Sequence, residues 1–435
     1  MQSLTYEEVL DKVQNQRRFG SLPGAVVSER MLKSLGNPQT GIPIIHVAGT
    51  NGKGSVSAFL CSILKEAGLR TGMFTSPHLV DFEERIQVDG KMIPKEDVTR
   101  LGNLLLSEQY EVTPTMFDYC LGMAILYFKE QDCDAVILET GLGGRLDSTN
   151  AVGTPVVSVI TKIGYDHVEI LGNTLAEIAA EKAGIIKEGT CLVAESQEPE
   201  ALEVILKAAE KAKSCQVVRL PEITDRAYRR GVQEFSYHGY EKLQMKLLGV
   251  HQYENAAAAI LAAEAFFEEK GIACSDEMIR AGIANAGWQG RMEVLSENPY
   301  FLVDGAHNGN GVKALAESLG QMFPGEKFHF IMGVMADKDY ETMIEELLPL
   351  ALDFRTVTVE AKRALQAETL AECIRKKGVA ASCVTDISEA VLPEKLVPGQ
   401  RTVAFGSLYF VGEIEEIWKK KRKVKLGINK NDIFP

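Results

Sequence analysis

Residues 42–64 leave few options for local folding. An apolar run (Ile42, Ile44, Ile45, Val47) enters the turn Gly49-Thr-Asn-Gly-Lys-Gly-Ser55, and a helical pattern at Val56, Phe59, Leu60, Ile63 and Leu64 leaves it. Strand, glycine-rich turn and helix N-terminus together make a cradle for a polyphosphate. Turn N–H groups face phosphate oxygens, and the helix dipole favours negative charge there. Lys53 can reach terminal phosphates, and a Ser hydroxyl can face Mg²⁺. The spacing departs from the common phosphate loop: Val47 stands where its first Gly would fall, and Gly54 separates Lys53 from Ser55. Ordinary kinases and GTPases fit this variant poorly.

The rest of the chain reads as α/β. Ala135–Leu138, Val156–Ile160 and Cys191–Ala194 are predicted as buried parallel strands, with helical spacing near Phe117–Phe128 and Leu175–Lys187. Such alternation puts helices on both faces of a parallel sheet and ligands at the carboxyl ends of its strands. From Gln216 to Leu248 shorter alternating pieces predict small antiparallel hairpins, followed by an Ala-rich helix over Asn255–Phe267. A second βα series runs through Phe301–Val303, Phe328–Met332, Phe354–Val359 and Thr402–Phe405. The junction is expected near Trp288–Glu293. A length of 435 residues also favours two domains.

Charge and composition exclude several classes. The net charge of −13 argues against nonspecific nucleic-acid binding. The basic run Lys419–Lys425 reads as a solvated tail after a last helix, although alone it resembles a nucleic-acid patch or import signal. No apolar run approaches a membrane span, and no leader pattern opens the chain. Eight scattered cysteines fit reduced residues of a cytoplasmic protein.

Five further segments sit at predicted strand ends or at the junction. Ser76 lies in Thr75-Ser-Pro-His-Leu79, which taken alone is an ordinary turn. Glu139 opens Glu-Thr-Gly-Leu-Gly-Gly-Arg-Leu-Asp147. Leu146 stands where a dinucleotide fingerprint needs Gly, so a strand-end carboxylate for Mg²⁺ is the better reading. His167 follows another strand, and Lys182 lies in Glu181-Lys-Ala-Gly-Ile185; alone, the His is more often structural and the Lys reads as a surface lysine on a helix. Asn255, in Gly249-Val-His-Gln-Tyr-Glu-Asn255, can cap or precede the Ala-rich helix, and Gly290-Arg291 marks the junction. Val303-Asp-Gly-Ala-His-Asn308 places Asp304 where βα units often meet a ribose.

In order and spacing these segments, with Asp337-Lys-Asp339 and Gly406-Ser-Leu-Tyr409, resemble the Mur ligase superfamily. Within it the chain is similar to the folylpolyglutamate synthases and bifunctional dihydrofolate synthases, from about Gly20 to Gly412. The resemblance implies an N-terminal P-loop-type ATPase domain (1–292), with a parallel sheet, a small antiparallel region and a pterin/folate site. It also implies a smaller C-terminal Rossmann-like domain (293–435), with glutamate and nucleotide contacts and a basic tail at 419–435. The implied reaction joins L-glutamate to a reduced folate, or to dihydropteroate, through an acyl phosphate. A Mur-type ligation of another carboxylate, such as a cell-wall precursor, is the alternative.

The implied cofactors are ATP, held between the domains, and two Mg²⁺ ions. Asn51, Gly52, Lys53, Gly54, Ser55, Asn255, Arg291 and Asp304 match ATP contacts; Ser76, Glu139 and His167 match metal ligands. Lys182 matches a lysine carried as a carbamate, and Lys53, Lys182 and His307 are the implied catalytic set. Thr115, Phe117, Asp118 and Asp147, with the Phe19–Pro23 region, match the neighbourhood of the pteroate pocket. Asp118 is one methylene shorter than the usual Glu, and Gly309 stands where Pro is common. A monomer acting on small molecules, away from nucleic acid and membrane, is expected.

Overall fold

The computed structural model describes residues 3–17, 22–213, 216–219, 222–229 and 231–425. The fold is α/β. Its contacts divide into two units, Met1–Lys246 with His251–Gly287, and Leu247–Val250 with Trp288–Pro435.

The first unit is built on a sheet of β1 (Ile44–Ala48), β2 (Thr71–Phe74), β3 (Ile86–Val88), β4 (Lys91–Met92), β5 (Ala135–Glu139), β6 (Val157–Ile160), β7 (Cys191–Ala194) and β8 (Gln216–Arg219), in the order β4-β3-β2-β5-β1-β6-β7-β8. Strands β2, β5, β1, β6, β7 and β8 are parallel; β3 and β4 continue one edge in antiparallel fashion. β1, β2, β5, β6 and β7 are buried at every residue. That explains why they read as continuous apolar runs without alternation. The core includes Phe74, Phe128, Val136 and Leu138 in one cluster and Ile160, Ile178, Ile185 and Leu192 in another.

The hairpin region starts later than its composition predicts. β8 pairs in parallel with β7, and the antiparallel sheet consists of β9 (Thr224–Arg229), β10 (Val232–Tyr237) and β11 (Tyr240–Met245). A four-residue strand carries too little pattern to show its direction. The Ala-rich helix also begins earlier, spanning His251–Lys270, so Asn255 lies inside it rather than at its cap.

The second unit holds β12 (Glu293–Glu297), β13 (Tyr300–Val303), β14 (Phe328–Met332), β15 (Ala351–Val357), β16 (Ala381–Val384) and β17 (Arg401–Phe405), in the order β12-β13-β17-β14-β15-β16. Only β12 runs antiparallel to its neighbour. The basic run is not a tail after the last helix, because that helix spans Leu408–Lys425. Its cations have local work: Lys420 bonds Glu416, Lys421 pairs with Glu394, and Arg422 donates to the Leu295 carbonyl. The extreme segment 426–435 and residues 19–21 of the early pteroate-pocket match lie outside the described residues. Among the described residues no helix is long and apolar enough to cross a membrane.

Candidate active site

The turn after β1 is shaped by close approach. A Cβ at Gly49 would collide with Thr161 Oγ1, and Gly52 has φ +93° and lies against Asn255 Oδ1. Only glycine meets both demands without strain. Gly52 caps the helix Lys53–Glu66, whose first N–H groups have no partner within the helix and so can face an anion. Thr50 and Asn51 instead donate their N–H groups to the Lys162 carbonyl, at 3.0 and 3.2 Å, while Thr161 Oγ1 donates to the Asn51 carbonyl at 2.6 Å. The donor array therefore begins at the helix start.

Ser55 is buried, and its hydroxyl accepts from Gln252 Nε2 at 3.2 Å. Gln252 in turn accepts from Asn255 Nδ2 at 2.8 Å. The helix His251–Lys270 is thus keyed to the loop through a glutamine that was quoted in its motif but given no role. Thr161 was missed altogether. Its partner is 110 positions away, so no local signal pointed to it.

Two lysines converge on one oxygen. Lys53 Nζ donates to the Gly49 carbonyl at 3.2 Å and Lys182 Nζ donates to the same carbonyl at 2.8 Å. Lys182 is 3 % exposed, at the end of the helix Leu175–Ala183. Burial, and then the charge of Lys53, lower its pKa to about 7; Asp166 and Asp147 act in the opposite direction. Glu139, 4 % exposed at the end of β5, lies 3.8 Å from Lys53 Nζ. One of its oxygens accepts the Ser76 N–H at 3.3 Å. Lys53, Lys182, Glu139 and Ser76 are therefore joined by contacts around one turn. His167, after β6, has φ +49°; its N–H donates to Asp166 Oδ1 at 2.9 Å, and its Nε2 lies 4.0 Å from that oxygen.

Among the described residues no group of three His, Cys, Asp or Glu side chains forms a ready metal cage. Mg²⁺ does not need one, since it keeps waters and phosphate oxygens around one or two carboxylates. Glu139, a buried oxygen donor beside the phosphate turn and next to Ser76, fits that coordination.

The residues matched to the pteroate neighbourhood are tightly bonded to the protein itself. Asp118 is fully buried. Its Oδ1 accepts from Ser28 (2.6 Å) and Ser148 (2.7 Å), and its Oδ2 accepts from the Thr115 N–H and hydroxyl (2.7 Å each). It acts as a hub between three segments. Asp147 Oδ1 accepts from the Thr149 N–H and hydroxyl, and its Oδ2 from the Leu142 N–H. Burial raises its pKa, and these hydrogen bonds oppose the rise. Thr149 Oγ1 also meets His46 Nε2 at 2.8 Å, and burial holds that imidazole neutral by lowering its pKa to about 3. Phe117 stacks obliquely 5.4 Å from Phe74 and covers Gly141.

In the second unit the turn after β13 closes on itself. Asp304 accepts the Met292 N–H and the Ala306 N–H, both at 2.8 Å. Gly305 donates to the Gly290 carbonyl at 2.9 Å, and the same carbonyl accepts Arg291 Nη1 at 3.0 Å. A Cβ at Gly305 would collide with Arg291 Nη1. His307 Nδ1 is 2.8 Å from the Gly305 carbonyl, so this nitrogen carries the proton. Asn308 caps the helix Gly309–Met322, which puts Gly309 at its first position, where proline is favourable in general.

Comparison with known proteins assigns the frame. The Mur ligase middle domain matches residues 47–263, and the Mur ligase glutamate ligase domain matches 290–408. The chain is 39% identical to a Bacillus subtilis dihydrofolate synthase/folylpolyglutamate synthase, over 94% of this chain and 98% of the relative. It superposes on Mycobacterium tuberculosis folylpolyglutamate synthase complexed with ADP with a TM-score of 0.86, at 29% identity, over 95% of this chain and 98% of that one. An FPGS–AMPPCP–folate complex gives 0.83 at 30% identity, covering 95% and 99%.

Proposed function

The chain belongs to the folylpolyglutamate synthase/dihydrofolate synthase family of Mur ligases, and from that premise we propose that it uses ATP to join L-glutamate to a folate. The observation that carries this reading is the pair of lysines on the Gly49 carbonyl beside buried Glu139. Lys53 brings a cation to the helix start where a triphosphate would sit, and buried Lys182, with its pKa lowered to about 7, gives up its proton far more readily than an ordinary lysine.

The reaction follows from these parts. The folate carboxylate attacks the γ-phosphorus in line, the bond to ADP breaks, and an acyl phosphate forms. The glutamate amine then attacks the acyl carbon, phosphate leaves, and the amine proton passes to solvent. Lys53 and the start of its helix hold the triphosphate, with Gly52 to Ser55 as its cradle and Asn51 able to join only through its side chain, its N–H being taken by the Lys162 carbonyl. Glu139, Ser76 and His167 would hold Mg²⁺, which would supply Lewis-acid neutralisation of phosphate charge. Lys182, whose pKa is lowered to about 7, offers a neutral amine that would add CO₂, release a proton and become a carboxylate suited to a second Mg²⁺. Asn255, Arg291, Asp304 and His307 contribute nucleotide contacts, with His307 also in the catalytic set. Thr115, Phe117 and Asp147 frame the folate, and Asp118 shapes that frame through its serines.

The relatives named for folate ligation favour folates over cell-wall precursors as acceptors. Dihydropteroate is a second acceptor in this reading, and the enzyme works as a cytoplasmic monomer. Incubation with tetrahydrofolate, L-glutamate and Mg-ATP should release ADP and lengthen the glutamate tail; ADP no higher than in the folate-free control would overturn the proposal. Dihydropteroate as sole acceptor tests the second activity in the same assay.

A further inference from the structure

The loop after β2 contains an imidazole that the reading above does not use. His78 is half-buried, and its Nδ1 accepts a hydrogen bond from Arg85 Nε at 2.7 Å. An arginine can only donate, so this contact fixes which ring nitrogen carries the proton. Nδ1 is the acceptor, His78 is the neutral Nε2–H tautomer, and Nε2 has no protein partner among the described residues.

The loop is built to hold that orientation. Arg85 is 6 % exposed, and its carbonyl accepts the Thr75 N–H at 3.0 Å. The Glu84 carboxylate gathers the N–H groups of Leu79, Val80 and Asp81 at 2.6, 3.0 and 2.8 Å. Ser76 is tied to Glu139 from the other side. Phe82 flanks the ring at 6.0 Å. A surface turn needs none of this, whereas a preorganised donor needs all of it.

Sheet order places the loop. The phosphate turn follows β1, Glu139 ends β5, and the segment bearing His78 follows β2, in the spatial order β1, β5, β2. Ser76, two residues before His78, bonds Glu139, which lies 3.8 Å from Lys53 of the phosphate turn, so this loop borders the buried carboxylate beside that turn. A carboxylate acceptor that attacks a phosphate held on the turn has to enter this neighbourhood. We propose that His78 is a further substrate-binding residue whose Nε2–H, left as the ring's donor by Arg85, donates to the carboxylate of the folate acceptor. A neutral donor suits this task. It orients one carboxylate oxygen without the full charge of a cation, which would blunt the nucleophile.

This inference rests on the ligase reading, so its test has an arm that needs no turnover. In the full-length protein labelled with ¹⁵N-histidine, the His78 resonance, identified by its loss in His78→Gln, should show protonated Nε2 and bare Nδ1. It should shift when tetrahydrofolate is added without ATP. The opposite tautomer, or a resonance unmoved by saturating tetrahydrofolate, would overturn the proposal even if the enzyme is a folate ligase. In steady-state assays His78→Ala should lower kcat/KM for tetrahydrofolate about 10- to 100-fold, the scale of one hydrogen bond to a charged group, with KM for ATP little changed. His78→Gln, which keeps a neutral donor at a similar reach, should recover most of the loss. Equal losses toward ATP and folate, or no recovery with Gln, would assign His78 to the scaffold instead.

Discussion

The turns after β1 and β13 occupy equivalent places, each at the carboxyl end of a buried strand and each followed by a helix. They treat charge in opposite ways. After β13, Asp304 takes two backbone N–H groups, and Arg291 and Gly305 both bond the Gly290 carbonyl, so the turn is internally satisfied. After β1, Lys53 and Lys182 both donate to the Gly49 carbonyl, and burial, aided by the charge of Lys53, pulls the Lys182 pKa down to about 7. A turn that satisfies itself positions groups. A turn that gathers two lysine amines at a helix N-terminus is shaped to receive an anion. The comparison locates the chemistry at the Gly49 turn and gives the Asp304 turn a supporting role.

Removing charge at the first turn should therefore hurt turnover most. Lys53→Ala should lower kcat by about 10²- to 10³-fold, the scale of losing one preorganised group on a developing oxyanion, in a steady-state ADP assay. Unchanged turnover would remove the phosphate-loop assignment. Lys182→Ala should come next, with a large loss partly restored by short carboxylic acids that replace a carboxylate at that position. Near-normal turnover without additives would end its proposed role.

The second turn should answer in stability. Asp304→Ala leaves two backbone N–H groups without their acceptor, and should cost about 2–4 kcal/mol in denaturant unfolding of the second unit. A loss confined to kcat at unchanged stability would mean that Asp304 acts chemically, and the contrast between the turns would fail.

The last expected effect is a pH slope. In the fold Lys182 loses its proton near pH 7, whereas in the unfolded chain it keeps it to about its usual 10.5. Between those values the unfolded state binds more protons, so stability rises with pH across that window. Below pH 7 the cost of burying the charge is present in full. Lys182→Met removes the group, so its stability gain over the parent should be greatest at and below pH 7 and shrink toward pH 10. Denaturant midpoints at several pH values would read this, and a pH-independent gain would contradict the depressed pKa.

How much of this was legible beforehand follows from how local each signal is. The Gly49–Ser55 turn, Glu139 at a strand end and the Asp304 turn each declare themselves within a dozen residues, because strand, glycine and helix start are adjacent in the chain. Those segments, taken with their order, also carried the family and the α/β fold. What escaped depends on distant partners. Gln252 reaches Ser55 across 197 positions, and Ser28 reaches Asp118 across 90. The full engagement of Asp118 could not be read from Thr115-Met-Phe-Asp118, since two of its four donors come from elsewhere. The run Lys419–Lys425 looked like a tail because charge density hides helical pattern, yet it belongs to the final helix.

The central claim is that the Gly49 turn supports formation of an acyl phosphate from the folate acceptor. Tetrahydropteroylglutamate carrying ¹⁸O in its γ-carboxylate tests it most directly, with the released phosphate examined by mass spectrometry. The account predicts one ¹⁸O transferred to phosphate per glutamate added. Unlabelled phosphate at normal product yield would contradict it.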